Sequence, residues 1–371
     1  MLLDGRDLDI LRLAGKYRWL PYDTLGRFGF DDLIQEIDKL SSVNLLCVSR
    51  NKKYIIPSAR GYGLLQDNGY DYDPGSKRAY IGSSALRRRL EVAEIMLTAL
   101  RAGIDVHRDD VDGLQSQPVF LPAFSLRNAE INPMSSASCA GFGHWGNKAY
   151  MLQYISPESP GMYYASEIRL INNLASVFDK SLKTPSALIF AGASYGQVYK
   201  QITDAAPSKR HGVKSFYDYW DVWRKSDIPV HILSCDAIGA KQLAFMSQPD
   251  HNAKIAKASF GERWTPRDDE IPEADGCVDG IPLVVAADMN VRRLNRVCEC
   301  ARALGRKEVM AAAFLEQMQS FLLKILPTDG LVTPLSIEEP VIEAAFSKRL
   351  SLYSMDKDTA AVGLKGAVIH A

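Results

Sequence analysis

The feature that most constrains this chain is a change of hydrophobic period within its first seventy or so residues. From Asp7 to Trp19, Leu8, Leu11 and Ala14 return at helical spacing, with Tyr17 one turn later. Pro21 favours a fresh start, and a short second helix, Tyr22 to Phe28, closes at Gly29. Asp31 caps a third helix with Ile34, Ile37 and Leu40 on its inner face. The period then falls to two. Leu45 to Ser49 and Lys53 to Ile56 read as strands about the turn Arg50-Asn51-Lys52. Ser58 caps a last helix, Ala59 to Asp67, that stops at Asn68-Gly69.

Three helices, a hairpin and a closing helix are the order of a winged helix, which is the expectation for residues 1–70. The phrase Tyr54 to Leu65, YIIPSARGYGLL, resembles the ending of many bacterial winged-helix regulators. Such domains usually dock the third helix in the major groove and lay the hairpin on the backbone. Here the third helix carries Asp31, Asp32, Glu36 and Asp38 against Lys39, and carboxylates are repelled by phosphates. The cations lie instead on the hairpin, at Arg50, Lys52 and Lys53, with Arg60 just beyond. Two readings follow: a wing that grips duplex DNA, or a module that binds protein.

Net charge bears on that choice. Lysine plus arginine and aspartate plus glutamate both number 44. The overall field therefore attracts no polyanion, and any DNA contact must be a local patch. No apolar run approaches the ~20 residues that cross a membrane, and the N-terminal MLLDGRDLDI is charged where a signal peptide is apolar. Cytoplasmic placement is expected. The six cysteines are dispersed without a C-x-x-C pair, so neither a disulfide framework nor a zinc site is indicated. No P-loop or G-x-G-x-x-G fingerprint occurs, and no cofactor is expected.

Residues 71–112 read as a linker, Tyr70 to Gly75, followed by a basic helix from Ser83 to about Ala102. Ser84 is its expected cap, and Leu86, Leu90, Ala93 and Leu97 form its inner stripe. Arg87, Arg88 and Arg89 either extend a phosphate clamp or line a solvated face, with Arg87 paired to Glu91 at i, i+4.

From 113 to 330 strands and helices alternate. Strands are expected at Val119–Phe124, Ala149–Ile155, Met162–Ile168, Ser186–Ala191, Val230–Leu233 and Pro282–Ala287. Helices are expected at Arg169–Asp179, Tyr195–Thr203, Ile238–Met246, Met289–Ala303 and Lys307–Ile325. Apolar runs such as ALIF and PLVVAA suit strands covered on both faces. Ala205–Lys225 and 247–280 read as loop excursions, and 331–371 as a C-terminal extension. The expected class is α+β or α/β: a winged helix, then a mixed α/β sandwich, of which a degenerate restriction-endonuclease-like core is one form.

This order resembles the replication-relaxation family. The matching segments are YIIPSARGYGLL, the helix ALRRRLEVAEIMLTAL, Tyr163 to Ile168 leading into a helix, SALIF, and VHILSCD. The resemblance implies plasmid or conjugative-element biology and contact with DNA. The family's acidic E-x-D corresponds to Glu167-Ile168-Arg169, where the second acid is missing.

Two catalytic patterns compete with that reading. Glu130 and Glu167-Ile168-Arg169 follow the order of a metal-dependent nuclease, but arginine stays charged where a lysine would support the attacking water. Gly192-Ala193-Ser194-Tyr195-Gly196 is G-x-S-x-G between a strand and a helix, with Asp236 or Asp288 and His251 or His370 as triad partners. The plainer reading makes Ser194 a helix cap. The histidines His107, His144, His211, His231, His251 and His370 lack ligand spacing. His144-Trp145 reads as a loop between glycines. Tyr217, Tyr219, Trp220 and Trp223 form either a stacking platform for single-stranded DNA or a packing face. The reading carried forward is a non-enzymatic DNA-binding accessory protein of a mobile element. Its partners would be double-stranded DNA, a second copy, or conjugation and replication proteins, with no membrane.

Overall fold

Local chemistry fixes the first seventy residues where the chain reverses. In the computed structural model, which describes residues 3, 5–30, 33–72, 83–108, 118–127, 139–156, 186–203, 223–266, 268 and 270–346, Ser58 accepts a hydrogen bond from Gly61 N at 3.0 Å. Its hydroxyl donates to Asn44 O at 2.5 Å. Gly61 is required beside it, because a Cβ there would stand 2.2 Å from Leu45 O. The elements are α1 (Gly5–Tyr17), β1 (Leu20–Pro21), a 3-10 turn (Leu25–Phe28), α2 (Leu33–Ser42), β2 (Leu46–Val48), β3 (Tyr54–Pro57) and α3 (Ala59–Asp67). The strands form an antiparallel sheet of order β1-β3-β2, with Ile55 at its centre opposite Leu20 and Val48. Ile10, Leu11, Ala14 and Tyr17 of α1 are buried against it. Ile10 and Leu11 each contribute roughly 1.5–3 kcal/mol. Strand β1 was not expected, and the second helix shrinks to the 3-10 turn. The proposed cap Asp31 lies outside the described residues.

Helix α4 (Ser83–Arg101) starts one residue before its expected cap, so Ser84 is inside the helix rather than capping it. Ala93 and Leu97 are buried as expected, but so are Ile95, Met96 and Ala99. A helix buried on several sides is core rather than connector. α4 packs on β1, on the 3-10 turn and on the sheet that follows.

That sheet contains β4 (Val119–Pro122), β5 (Gly141–Trp145), β6 (Lys148–Tyr154), β7 (Ser186–Gly192) and β8 (Val230–Ser234), in chain order. A short α5 (Ala123–Arg127) follows β4, α6 (Tyr195–Thr203) follows β7, and α7 (Ala237–Met246) follows β8. Next come α8 (His251–Phe260), β9 (Trp264–Thr265), β10 (Cys277–Val278), β11 (Ile281–Val285), α9 (Val291–Ala303) and β12 (Val309–Phe314). A helical run, α10, is built from Leu315–Gln317, a π turn Met318–Leu322, and Leu323–Ile325. β13 (Val332–Ile337) and α11 (Glu339–Phe346) close the second sheet.

The two five-stranded sheets have one plan. In each, three antiparallel strands are followed by two parallel ones, and the strands lie side by side in chain order. In each, the second and third strands meet at a tight hairpin with two positive-φ residues, Gly146-Asn147 and Asp279-Gly280. Those are the angles of a type I′ turn, whose twist matches paired strands. The helix before each sheet packs on the helix after it, α4 on α7 and α8 on α11. Alternate residues of the central strands face opposite layers. Ile189, Val285 and Ala312 join one cluster, while Phe190, Val284 and Ala313 join the other. The central strands of both sheets are thus covered on both faces. A buried trio links the halves: Tyr195 Oη donates to Gln242 Oε1 at 2.5 Å, and Gln317 Nε2 donates to Tyr195 Oη at 3.1 Å and to Ala287 O at 2.9 Å.

Several expectations change here. Val309–Phe314, expected as helix, is strand β12, paired residue by residue with β13 and flanked by β11. Its alanines favour helix, but pairing and burial on both faces override propensity. The stretch 247–280, expected as a loop, holds α8, β9 and β10. His144-Trp145 is not a loop but the end of β5, with Trp145 buried and stacked on Tyr150 at 4.6 Å. The strand expected at Val119–Phe124 ends at Pro122. Met162–Ile168 and Arg169–Asp179 lie outside the described residues. Residues 332–346 belong to the second sheet rather than trailing from it.

Candidate nucleic-acid interface

The hairpin between β2 and β3 is held from inside by one side chain. Ser49 Oγ accepts from Lys53 N at 3.0 Å and Tyr54 N at 3.1 Å, and donates to Asn51 Oδ1 at 2.9 Å. Ser49 O accepts Lys52 N at 2.8 Å, and Lys53 O accepts Tyr22 N at 2.9 Å, so the tip is tied to the chain beside β1. Lys52 sits at φ 54, in the left-handed region that glycine or asparagine enters more easily. Arg50, Lys52 and Lys53 are all exposed. Among the described residues none of the three makes an ion pair. The structure therefore brings these three cations together on one projecting turn.

The other four basic candidates are spread out. Arg60 donates to Val43 O at 3.3 Å, just past the C-terminus of α2. Arg87 lies 3.6 Å from Glu91, the expected i, i+4 pair. Arg88 is exposed. Arg89 lies over the Phe124 ring at 3.9 Å. Cations three in a row on a helix point in different directions, and here two of them have partners within their own neighbourhood.

Helix α2 offers little to a phosphate. Its Lys39 reaches inward to Asp7, at 3.0 and 2.9 Å, and to Glu36 at 3.0 Å. Asp7 is fully buried, and that partner fixes the lysine's direction. Burial pulls the Lys39 pKa down, but the hydrogen bonds to Asp7 and Glu36 outweigh it and leave it raised. Asp38 remains exposed and accepts from Tyr22 Oη at 3.0 Å.

The catalytic candidates fare differently. Ser194 accepts from Gln197 N at 3.1 Å and caps α6. Asp236 caps α7, accepting Ile238 N at 3.0 Å and Gly239 N at 2.9 Å, with Ser234 Oγ on its other oxygen. His251 Nδ1 donates to Gln248 O at 3.0 Å. Among the described residues no hydrogen bond joins Ser194 to a histidine, so the triad is not assembled with His251. Glu130, Glu167, His211, His370, Tyr217, Tyr219 and Trp220 lie outside the described residues. Trp223 is buried edge-on against Phe190 at 4.8 Å and is no stacking platform.

One charged cluster escaped the sequence reading. Arg293 of α9 donates to Asp275 Oδ1 at 2.9 Å, Asp288 Oδ1 at 3.0 Å and Val285 O at 2.7 Å. Asp275 is aimed inward by a β-bulge: its N–H bonds Leu283 O at 2.7 Å, while Leu283 N bonds Gly276 O at 2.9 Å. Gly276 is needed there, with φ 105 and a Cβ position only 2.2 Å from Thr265 O. His231 Nδ1 donates to the Asp288 carbonyl at 2.8 Å, and its Nε2 is buried without a hydrogen-bond partner. Burial lowers the His231 pKa to about 4, against the pull of Asp288. Burial raises Asp275, and Arg293 only partly opposes it. At Asp288 burial also pushes upward, but Arg293 and the two histidines carry it below the usual carboxylate range. The sequence signal was faint: two acids flanking one strand, and an arginine five residues after the second.

No helix among the described residues is long and apolar enough to cross a membrane, and among those residues no cluster of ligating side chains could hold a metal ion. No protein-family model, curated protein or solved structure matches the chain.

Proposed function

We propose that residues 1–70 form a winged helix whose hairpin grips the backbone of duplex DNA, and that the protein is a non-enzymatic DNA-binding accessory factor. The β1-β3-β2 sheet with its preceding helices has the order such a domain needs. The observation that carries the reading is the trio Arg50, Lys52 and Lys53 on one exposed turn, with no ion pair among the described residues. Cations left without internal partners are available to an external anion. The α/β body, with or without a restriction-endonuclease-like ancestry, then serves as scaffold. Its best-placed acids support that role: a permanently charged guanidinium lies between Asp275 and Asp288, and Asp288 is 3% exposed. The replication-relaxation resemblance adds the setting, a plasmid or conjugative element.

The test is fluorescence anisotropy of a random-sequence duplex against the wild type and Lys52→Glu/Lys53→Glu. Binding by the wild type, weakened at least tenfold in the variant, is the expected outcome. Equal binding by both would remove the wing from the interface. A second reading is favoured by one observation, the exposed Asp38 beside the inward-turned Lys39. On that reading α2 docks a protein, and neither form binds DNA at low salt.

A further inference from the structure

Helix α10 alternates exposed and buried residues in pairs. Leu315 and Glu316 are exposed, Gln317 and Met318 buried, Gln319 exposed with Ser320 half-buried, Phe321 and Leu322 buried, and Leu323 and Lys324 exposed. Leu315 and Leu323, at 50% and 52%, are the most exposed large apolar side chains among the described residues. Single leucines at a surface need no explanation, but these two share one row. In a regular α-helix, residues eight positions apart stand about 80° apart around the axis. The π turn Met318–Leu322 bonds i to i+5, puts more residues into each turn and removes most of that drift. Leu315, Gln319 and Leu323 therefore run along the helix in one line. Glu316, Ser320 and Lys324 form a second line beside it.

We infer that α10 is a homodimer interface, in which two copies of the chain pack α10 on α10, antiparallel, about a two-fold axis. The two lines are self-complementary under that operation, as an isologous contact requires. The first sets Leu315 on Leu323 of the second copy, with Gln319 on the axis. The second sets Glu316 opposite Lys324 of the second copy, with Ser320 on the axis. Among the described residues Glu316 makes no ion pair. Lys324 Nζ lies 5.4 Å from the centre of the Tyr199 ring and stays exposed. A parallel pairing would set Glu316 on Glu316 and Lys324 on Lys324, so the charges choose the antiparallel one. The helical run is short, about 16 Å at 1.5 Å per residue. The contact is therefore at the small end of specific interfaces, with a Kd of about 10–100 µM. The inference owes nothing to the DNA reading, since α10 lies outside the winged-helix region.

Sedimentation velocity of the full chain from about 5 to 300 µM tests this, a range that brackets the expected Kd. The wild type is expected to pass from monomer to dimer across it. Leu315→Glu/Leu323→Glu changes exposed positions only, and should remain monomeric throughout with its thermal melt unchanged. Glu316→Lys and Lys324→Glu each set like charges opposite one another twice, and each should raise Kd about five- to tenfold. Mixed one to one, these two single variants should dimerise as well as the wild type, because every facing pair is again opposite in sign. That rescue depends only on folded, exposed variants, and no other surface of the chain would produce it. A wild type that stays monomeric at about 300 µM overturns the inference and leaves the face to a different partner. A dimer that survives Leu315→Glu/Leu323→Glu, or a mixture that dimerises no better than its components, overturns it equally.

Discussion

Two regions of the molecule concentrate positive charge and treat it in opposite ways. At the β2–β3 turn, Arg50, Lys52 and Lys53 face solvent, and the hairpin's own hydrogen bonds go to Ser49 and the backbone. Under the second sheet, Arg293 is held between Asp275 and Asp288 and caps the carbonyl of Val285. The buried cation is structural: two carboxylates drawn out of water need it more than any ligand could. The exposed cations contribute almost nothing to stability, since surface charges without ideal partners rarely do. On the proposed function, their use lies outside the molecule. The same contrast separates the two halves of the body. Counting outward from the paired I′ turns, the first sheet has apolar Phe142 where the second has Asp275 before the turn, and apolar Ile155 where the second has Asp288 after it. One plan therefore supports either an oily or a charged interior, provided the charge brings its partner.

The largest effect that would break this comparison is on stability. Arg293→Ala should cost about 3–5 kcal/mol in urea unfolding, because it leaves two buried carboxylates without their counter-ion. Duplex affinity of the folded variant should be unchanged. A cost under about 1 kcal/mol would mean that the cluster is solvated and the contrast false.

Acid provides the next test. His231 is 1% exposed and its folded pKa of about 4 lies below the ordinary 6.5. A group depressed in this way contributes stability that is fully present above pH 6.5 and is lost as pH falls toward 4. About 3 kcal/mol should disappear across that window. His251, also lowered by burial, acts in the same direction. Asp275 is raised, so its protonation in the folded state opposes the loss near the acid end. In His231→Gln the urea midpoint should fall less between pH 7 and pH 4.5 than in the wild type. Parallel curves for the two proteins would contradict the assignment.

Smaller effects are expected at the hairpin, and they should separate binding from stability. Lys52→Glu/Lys53→Glu should alter the unfolding free energy by no more than about 0.5 kcal/mol. Lys52→Gly should stabilise by about 1 kcal/mol, since glycine takes the left-handed angle without the penalty lysine carries. The same change should weaken duplex binding a few-fold, by one phosphate contact. A glycine that stabilises without weakening binding would show that the strained lysine has no role at the tip.

How much of this was legible depended on how local the physics is. Ser58 and the helix after it, the turn at Arg50–Lys52, and helix Tyr195–Thr203 were readable because cap, turn and period sit within a few residues. β5 was missed because Gly141-Phe142-Gly143 carries no alternation. Its burial comes from neighbours on both sides. β9 and β10 are two residues each, too short for any period. β12 reads as helix because Met310-Ala311-Ala312-Ala313 has helical propensity, and only its partner strands say otherwise. The acid–arginine cluster is the clearest non-local case. Asp275 and Arg293 stand 18 residues apart, and a bulge together with a helix start brings them within 2.9 Å. Nor does the sequence announce that its two sheets follow one plan, because what is shared is hairpin angles, pairing order and helix packing rather than residue types.

The most direct test of the central claim is the salt dependence of duplex binding, measured by anisotropy from about 50 to 200 mM salt. If the three hairpin cations each neutralise one phosphate, the log–log slope should be about −2.7 and affinity should fall roughly 40-fold across that range. Lys52→Glu/Lys53→Glu should flatten the slope by about two units. A slope near zero, or one left unchanged by the double variant, would contradict the assignment of DNA contact to the hairpin.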